Sequence, residues 1–182
     1  MSTYTKESIQ ESFVHAAGCI ADIRILVEGN WQDTTYSPVA RRAAAAALQL
    51  GANTGSVELS VLLTDDARMR TLNREFRALD RTTNVLAFPA ETEVTSMPRL
   101  LGDVVVAYET AADEARAAEV PLTHHLSHLV VHGTLHLLGY DHVEDVDAEV
   151  MEALECRILA GLAIANPYAV GHVAWYNGSN RR

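Results

Sequence analysis

The segment that organises this chain runs from His132 to His142 and reads HGTLHLLGYDH. Its three histidines follow the pattern H-x-x-x-H-x-x-G-x-x-H. His132 and His136 lie one helical turn apart, so on an α-helix their imidazoles share one face. Gly139 can adopt the left-handed conformation that closes a helix C-terminus. The chain can then turn back and bring His142 toward the same point.

Three imidazoles converging on one point are typical of a catalytic zinc site, because structural zinc sites are usually closed by four protein ligands. The sequence therefore predicts one zinc ion per chain, bound by His132, His136 and His142, with a fourth position left for water. Metzincin proteases have the same spacing, but they carry a glutamate general base directly after the first histidine. Here that position is Gly133, so the peptidase base is absent.

The helix contains further histidines that compete for the same role. Each four-residue step rotates about 40° round a helix, so His124 lies about 120° from His136 and cannot share its metal. His128 could pair with His132 instead, although it is far from the Gly139 turn. A lone helical histidine is more often a core residue than a ligand.

The composition is that of an ordinary globular protein, with 182 residues, 48% hydrophobic and 21% charged. The two cysteines, Cys19 and Cys156, form no spaced framework, which favours a reducing compartment without a disulfide. The uncharged run at 121–140 contains five histidines, and the run at 158–180 is interrupted by Asn166-Pro167. Neither is a plausible membrane span, so we expect a cytoplasmic protein with no membrane partner.

Periodicity predicts a single α+β domain, with a small mixed β-sheet of about four strands packed with helices and the metal site on the histidine helix and following turn. The expected organisation is a loosely ordered N-terminal segment (1–20), one domain (21–165) and a C-terminal tail (166–182). The predicted strands are 23–28, 57–63, 83–88 and 103–108. The loop 90–101 is long enough to act as a flap beside a site.

The net charge of −10 argues against a general polyanion binder, so a nucleic-acid partner would need a local basic patch. A helix predicted to start near Asp65 has Met69, Leu72 and Phe76 on its core face. Another face offers such a patch, formed by Arg68, Arg70, Arg74, Arg77 and Arg81. The alternative is a solvated face, partly neutralised by acidic neighbours.

The histidine segment resembles the YbeY family of bacterial endoribonucleases, whose pattern is close to H-G-x-L-H-L-x-G-Y-D-H. Further likeness lies in L-G-D at 101–103 and in a second stretch comprising Asn73, Phe76, Arg77, Asp80 and 83–89. Thr82 replaces the family's usual proline and Ala87 its usual serine. If that serine hydroxyl helps to hold substrate, this chain lacks it.

The resemblance implies a zinc-dependent single-strand endoribonuclease in 16S ribosomal RNA 3′-end maturation and ribosome quality control. It implies that His132, His136 and His142 bind zinc and that Arg77 is the critical arginine near the metal. Its implied partners are ribosomal RNA, the small ribosomal subunit and its proteins, and a ribosome-associated GTPase. The candidate substrate-binding residues are Arg70, Arg74, Arg81 and Asn84.

The expected mechanism is hydrolysis of RNA by a zinc-bound water, with Arg77 stabilising charge on the phosphate. The identity of the general base is left open. Asp141 and Glu144 are candidates, and a zinc-bound hydroxide could act as the nucleophile without a separate base. Asp141 is also a candidate to orient a histidine ligand. Two alternatives remain: a zinc hydrolase of another class, either a metzincin-like peptidase or an amidohydrolase, and a non-catalytic zinc-containing ribosome-assembly factor.

Overall fold

A computed structural model describes residues 13–16, 19–51, 55–91, 98–142 and 144–169. The strands are β1 (Phe13–Ala16), β2 (Cys19–Val27), β3 (Gly55–Thr64), β4 (Val85–Pro89) and β5 (Arg99–Ala107). The helices are α1 (Tyr36–Gly51), α2 (Asp66–Arg77), α3 (Tyr108–Ala117), α4 (Leu122–Leu137) and α5 (Asp145–Gly161). The predicted α+β fold with a mixed sheet is confirmed.

The five strands form one sheet in the order β1-β2-β3-β5-β4. The central strands β2, β3 and β5 are parallel, and the edge strands β1 and β4 run antiparallel to their neighbours. The described residues contain one strand more than expected, because β1 lies within the segment 1–20 that the sequence predicted to be loosely ordered. The predicted domain boundaries stay predictions, since residues 1–12, 17–18 and 170–182 fall outside the described part. So do residues 92–97 of the predicted flap.

Helices cover both faces of the sheet, and the two layers have different sizes. The inward face of β3 alternates through Val57, Leu59, Val61 and Leu63 and packs with α1 and α4 in the main core. A smaller cluster on the opposite face joins Met69 of α2 to Leu86 and Val105. Helices α2 and α4 therefore lie on opposite sides of the sheet.

Helix α2 begins where the sequence predicts, with the Asp65 side chain accepting a hydrogen bond from the backbone N–H of Arg68 (2.8 Å). Met69 is buried as expected. The prediction for Phe76 is wrong: this residue is 67% exposed, and its ring packs edge-to-face on Phe88 with 5.1 Å between centroids. The last turn of α2 lies beside β4, which is the edge strand of the sheet within the described residues.

Helix α4 is the central helix of the main layer, packing against α1, α3 and α5 as well as β4 and β5. It is buried almost along its whole length. Gly133 permits the close approach to the sheet, because a Cβ at this position would lie 2.6 Å from the Val104 Cγ1. This contact sets the depth at which the histidines of α4 lie in the molecule.

The structure also explains the glycine of the L-G-D segment. Gly102 has φ +129°, and a Cβ there would lie 2.1 Å from the carbonyl oxygen of Phe88. The register between β3 and β5 shifts at the same place, between Glu58 and Leu59. Glycine is therefore required for β4 to pair closely with β5 beside this bulge.

None of the helices described here combines the length and apolar character needed to cross a membrane.

Candidate metal centre

The C-terminus of α4 ends in the turn that the sequence predicts. Gly139 has φ +96°, its N–H donates to the carbonyl oxygen of His136 (3.0 Å), and the N–H of Tyr140 donates to that of Leu135 (3.1 Å). This pair of hydrogen bonds is the Schellman motif. The turn brings the His142 ring to within 5.5 Å of the His132 ring and 4.9 Å of the His136 ring, measured between centroids.

The three predicted histidines form a group with one potential ligand atom each, and these atoms all lie within 4.8 Å of one another. The Nε2 atoms of His132 and His136 are 3.1 Å apart. Two nitrogens bound tetrahedrally to zinc at 2.0–2.1 Å would lie about 3.3 Å apart. The spacing therefore fits a metal ion between the rings, and this group could hold one.

The opposite nitrogens of two of these rings already have acceptors. The Nδ1 of His132 lies 2.7 Å from Glu155 Oε1, and the Nδ1 of His136 lies 3.0 Å from the carbonyl oxygen of Tyr140. Both contacts require a proton on Nδ1, because an ionised carboxylate and a backbone carbonyl can only accept hydrogen bonds. In the neutral rings Nε2 then carries the lone pair, as a metal ligand must.

The electrostatics of the site favour neutral imidazole at His136. Burial, together with the nearby His132 and His142 rings, lowers the pKa of His136 to about 4. The carbonyl of Tyr140 and the carboxylate of Asp141 oppose this shift only partly. His136 is therefore unprotonated at neutral pH, which is the form that binds metal.

Sequence reasoning missed Glu155, which is 1% exposed. Its second oxygen, Oε2, contacts His128 Nε2 at 3.0 Å and accepts a hydrogen bond from the Tyr168 hydroxyl. Burial by itself would raise the pKa of Glu155, but hydrogen bonds and charge from His128 and His132 hold it well below its usual range. The sequence does contain a signal for it: Glu155 follows Met151 by four residues, so it lies on the apolar face of α5, where a carboxylate needs a partner.

Asp141 contacts the turn that follows α4. Its Oδ1 accepts a hydrogen bond from the backbone N–H of His142 at 2.7 Å. This contact fixes the start of the segment that carries the third histidine. The acceptors described above for the other two rings belong to Glu155 and Tyr140, so a direct role for Asp141 in orienting a ring stays a prediction.

The predicted basic face of α2 is exposed and partly paired. Arg70 donates two hydrogen bonds to Asp80, at 2.8 and 2.9 Å, and Arg74 lies 3.9 Å from the same carboxylate. Arg77 is the last residue of α2 and is exposed. Since α2 and α4 lie on opposite faces of the sheet, Arg77 can reach the histidines only around the edge strand β4. Its proximity to the metal stays a prediction.

Two asparagines of the second motif have internal partners. The buried Asn73 donates to the carbonyl oxygen of Arg81 at 2.8 Å and braces the loop between α2 and β4. The Asn84 amide donates to both oxygens of Glu114, at 3.0 and 3.1 Å. Part of this motif therefore builds the loop and the start of β4.

A small pocket of about 60 Å³, open to solvent, lies beside the histidine group. Its lining includes His132 and His142 on one side and Met151 and Glu152 of α5 on the other. The pocket gives an approach from solvent to a largely buried centre, which is the arrangement that a catalytic site requires.

Fold and site together define the class: an α+β protein with a three-histidine group suited to a metal ion and accessible from solvent. The family model described as "Endoribonuclease YbeY" matches residues 27–163. The chain therefore belongs to the endoribonuclease YbeY family, whose members are hydrolases named for action on RNA.

Individual relatives support this membership. A Bradyrhizobium protein named "Endoribonuclease YbeY" is 48% identical over 152 residues, covering 80% of this chain and 90% of the relative. A protein of the same name from Azorhizobium caulinodans is 56% identical over 132 residues, covering 72% and 82%. The solution structure of TM1509 from Thermotoga maritima is 26% identical, with a TM-score of 0.50 over 78% of this chain and 91% of that one.

Proposed function

We propose that this chain is a zinc-dependent endoribonuclease that hydrolyses phosphodiester bonds in single-stranded RNA. The observation that carries the proposal is the arrangement of His132 and His136, whose Nδ1 atoms face acceptors while their Nε2 atoms lie 3.1 Å apart. Family membership supplies the substrate class, since the relatives are named endoribonucleases.

The proposed roles follow from the chemistry of the side chains. His132, His136 and His142 hold the zinc ion, which when bound supplies a Lewis acid and lowers the pKa of a coordinated water. Arg77 offers a planar fork of N–H donors to the phosphate and stabilises charge developing on its oxygens. The general base stays open between Asp141 and Glu144, both exposed near the turn, and the water itself.

The remaining substrate contacts are assigned to Arg70, Arg74, Arg81 and Asn84. Arginines on α2 would position the RNA backbone through phosphate contacts without reading its sequence. Arg70 would have to exchange its contact with Asp80 for a phosphate, and Asn84 its contact with Glu114. These exchanges reduce the predicted contributions of Arg70 and Asn84 to RNA binding.

The proposed context is the cytoplasm, with 16S ribosomal RNA 3′-end maturation and ribosome quality control as the process. The proposed partners are ribosomal RNA, the small ribosomal subunit and its proteins, and a ribosome-associated GTPase. This part rests on the family resemblance alone, so the test below uses RNA and purified protein without partners.

Position 133 weighs against a metzincin-like peptidase. A Cβ built on Gly133 points at Val104 and Val85 of the sheet, so a glutamate there would enter the core. An amidohydrolase or a non-catalytic ribosome-assembly factor would contain the same metal, and zinc content cannot separate these from a nuclease. RNA cleavage can.

The test is cleavage of a labelled single-stranded RNA carrying the 3′ end of a 16S precursor, by purified zinc-loaded protein. We expect about one zinc per chain by elemental analysis and cleavage that a chelator abolishes. His142→Ala should lose both zinc and cleavage, whereas His124→Ala, on the same helix but outside the group, should retain both. A zinc-loaded protein that leaves every RNA intact would contradict the nuclease and favour the assembly factor.

A further inference from the structure

Glu155 is an almost fully buried carboxylate, yet it is no part of the three-histidine group. Both of its oxygens are used: Oε1 lies 2.7 Å from His132 Nδ1, and Oε2 lies 3.0 Å from His128 Nε2. The Tyr168 hydroxyl donates a further hydrogen bond to Oε2. Burying a charge is costly unless it is hydrogen-bonded, and these contacts offset that cost.

The contact to His132 has a consequence for the metal. A carboxylate beside Nδ1 keeps the proton there, which leaves the lone pair on Nε2 and fixes the direction in which the ring points. It also brings a negative charge close to a site whose three imidazole ligands would carry none to offset a bound dication. Partners of this kind tune the affinity of histidine sites for metal.

We propose that Glu155 is a positioning residue of the metal centre, holding His132 in the metal-binding tautomer and orientation, with His128 and Tyr168 holding Glu155 in turn. The inference rests on the zinc site of the proposed function. It extends that site from three histidines to a network that includes the segment after α5.

Tyr168 is built to hold the carboxylate. Its backbone N–H donates to the Asn166 side chain at 2.8 Å, and its ring packs edge-to-face on His128 with 5.8 Å between centroids. Its hydroxyl is thereby directed at Glu155. The segment that follows α5 would thus support the metal centre through the contacts of the Tyr168 hydroxyl with Glu155 and His128.

Glu155→Gln is the informative variant, because it keeps the volume and one acceptor oxygen while removing the charge and placing an N–H₂ group in the network. We expect zinc affinity to fall about 10- to 100-fold, as is usual when such a partner is lost. Tyr168→Phe, which removes only the hydroxyl, should lower zinc affinity by a smaller factor.

A second carboxylate–histidine contact in this protein provides a matched control. Glu114 Oε2 contacts the buried His125 Nε2 at 2.7 Å, and His125 is on α4 but outside the three-histidine group. Glu114→Gln therefore removes the charge from a carboxylate–histidine contact between α3 and α4 without touching a metal ligand. A purely structural role for such contacts would lower the stability of both variants and leave zinc affinity unchanged in both.

The measurements are zinc affinity by chelator competition, thermal unfolding of the metal-free proteins, and ¹⁵N NMR of the imidazoles to read the His132 tautomer. Support requires weakened zinc binding and a changed His132 tautomer population in Glu155→Gln but not in Glu114→Gln. Equal zinc affinity in Glu155→Gln and wild type overturns the inference. Should Glu155→Gln fail to fold, unchanged zinc affinity in Tyr168→Phe overturns it.

The two proposals fail in different ways. If wild-type protein binds no zinc, the metal centre of the proposed function is wrong and this inference falls with it. If wild type binds zinc and cleaves RNA while the Glu155 and Tyr168 variants bind zinc equally well, only the positioning role is wrong.

Discussion

At the scale of single residues, the arginines of α2 have different surroundings. Arg70 and Arg74 share Asp80, and exposed ion pairs of this kind contribute little to stability. Arg77 ends the helix, where a cation also interacts favourably with the helix dipole. A structural role and a catalytic role for Arg77 are therefore both physically reasonable, and kinetics separates them.

We expect Arg77→Ala to lower the single-turnover cleavage rate about 100- to 1000-fold, the usual loss when a donor to transition-state charge is removed. Arg77→Lys should not restore the rate, because one ammonium cannot reproduce a bidentate fork. Arg74→Ala is the matched control from the preceding turn and should mainly weaken RNA binding. Zinc content should stay unchanged in all three, and thermal unfolding should change only slightly, because exposed ion pairs and charges at a helix end contribute little to stability.

A catalytic Arg77 would be contradicted if Arg77→Ala lost no more rate than Arg74→Ala. Recovery of the rate by lysine would assign Arg77 to diffuse charge on the helix surface. In either case the zinc site would stand, because its ligands lie on α4 and the following turn.

At the scale of elements, the site depends on how closely α4 approaches the sheet. Gly133 lies against Val104 and Val85, and Val104 is fully buried and conformationally stiff. An added methyl group must push the helix away from β4 and β5 or force a side chain off its rotamer. The histidines one residue before and three residues after Gly133 would move with the helix.

Gly133→Ala should therefore destabilise the protein by about 1–3 kcal/mol through overpacking, although alanine is the better helix former. Gly161→Ala is the matched control, because Gly161 is at the end of α5 and a Cβ there meets nothing within 4 Å. Urea unfolding of both variants measures the difference. A Gly133→Ala protein as stable as wild type would show that the helix–sheet contact is looser than its geometry indicates.

At the scale of the whole molecule, the proposed zinc site would couple metal binding to folding. The proposed ligands join the C-terminal half of α4, which packs against most other elements, to the turn before α5. This geometry exists only in the folded chain, so zinc should bind the folded state selectively. A ligand at 1,000 times its dissociation constant then adds about 4 kcal/mol to the free energy of unfolding.

We expect a chelator to lower the thermal midpoint of wild-type protein. The thermal midpoint of His142→Ala should not respond to the chelator, because this variant lacks one of the three proposed ligands. The His142 side chain is only half-buried, so its removal leaves the buried face of α4 intact. His124→Ala should respond as wild type does. An equal midpoint with and without chelator in wild-type protein would contradict a bound structural or catalytic zinc.

Several features followed from local sequence alone. The helical spacing of His132 and His136 and the glycine stop at Gly139 predicted the histidine group and its turn, because helix geometry and the left-handed preference of glycine act over a few residues. Alternating hydrophobic residues likewise located β3, and a continuous apolar run located the second half of β5.

Contacts between distant segments required the tertiary structure. The pairing of Glu155 with His132 joins residues 23 positions apart through the packing of α5 on α4, and no local pattern encodes that distance. The exposure of Phe76 depends on where α2 ends relative to the sheet edge, which hydrophobic periodicity does not contain. The placement of α2 and α4 on opposite faces has the same origin: strand order and burial are decided by the packing of the whole chain.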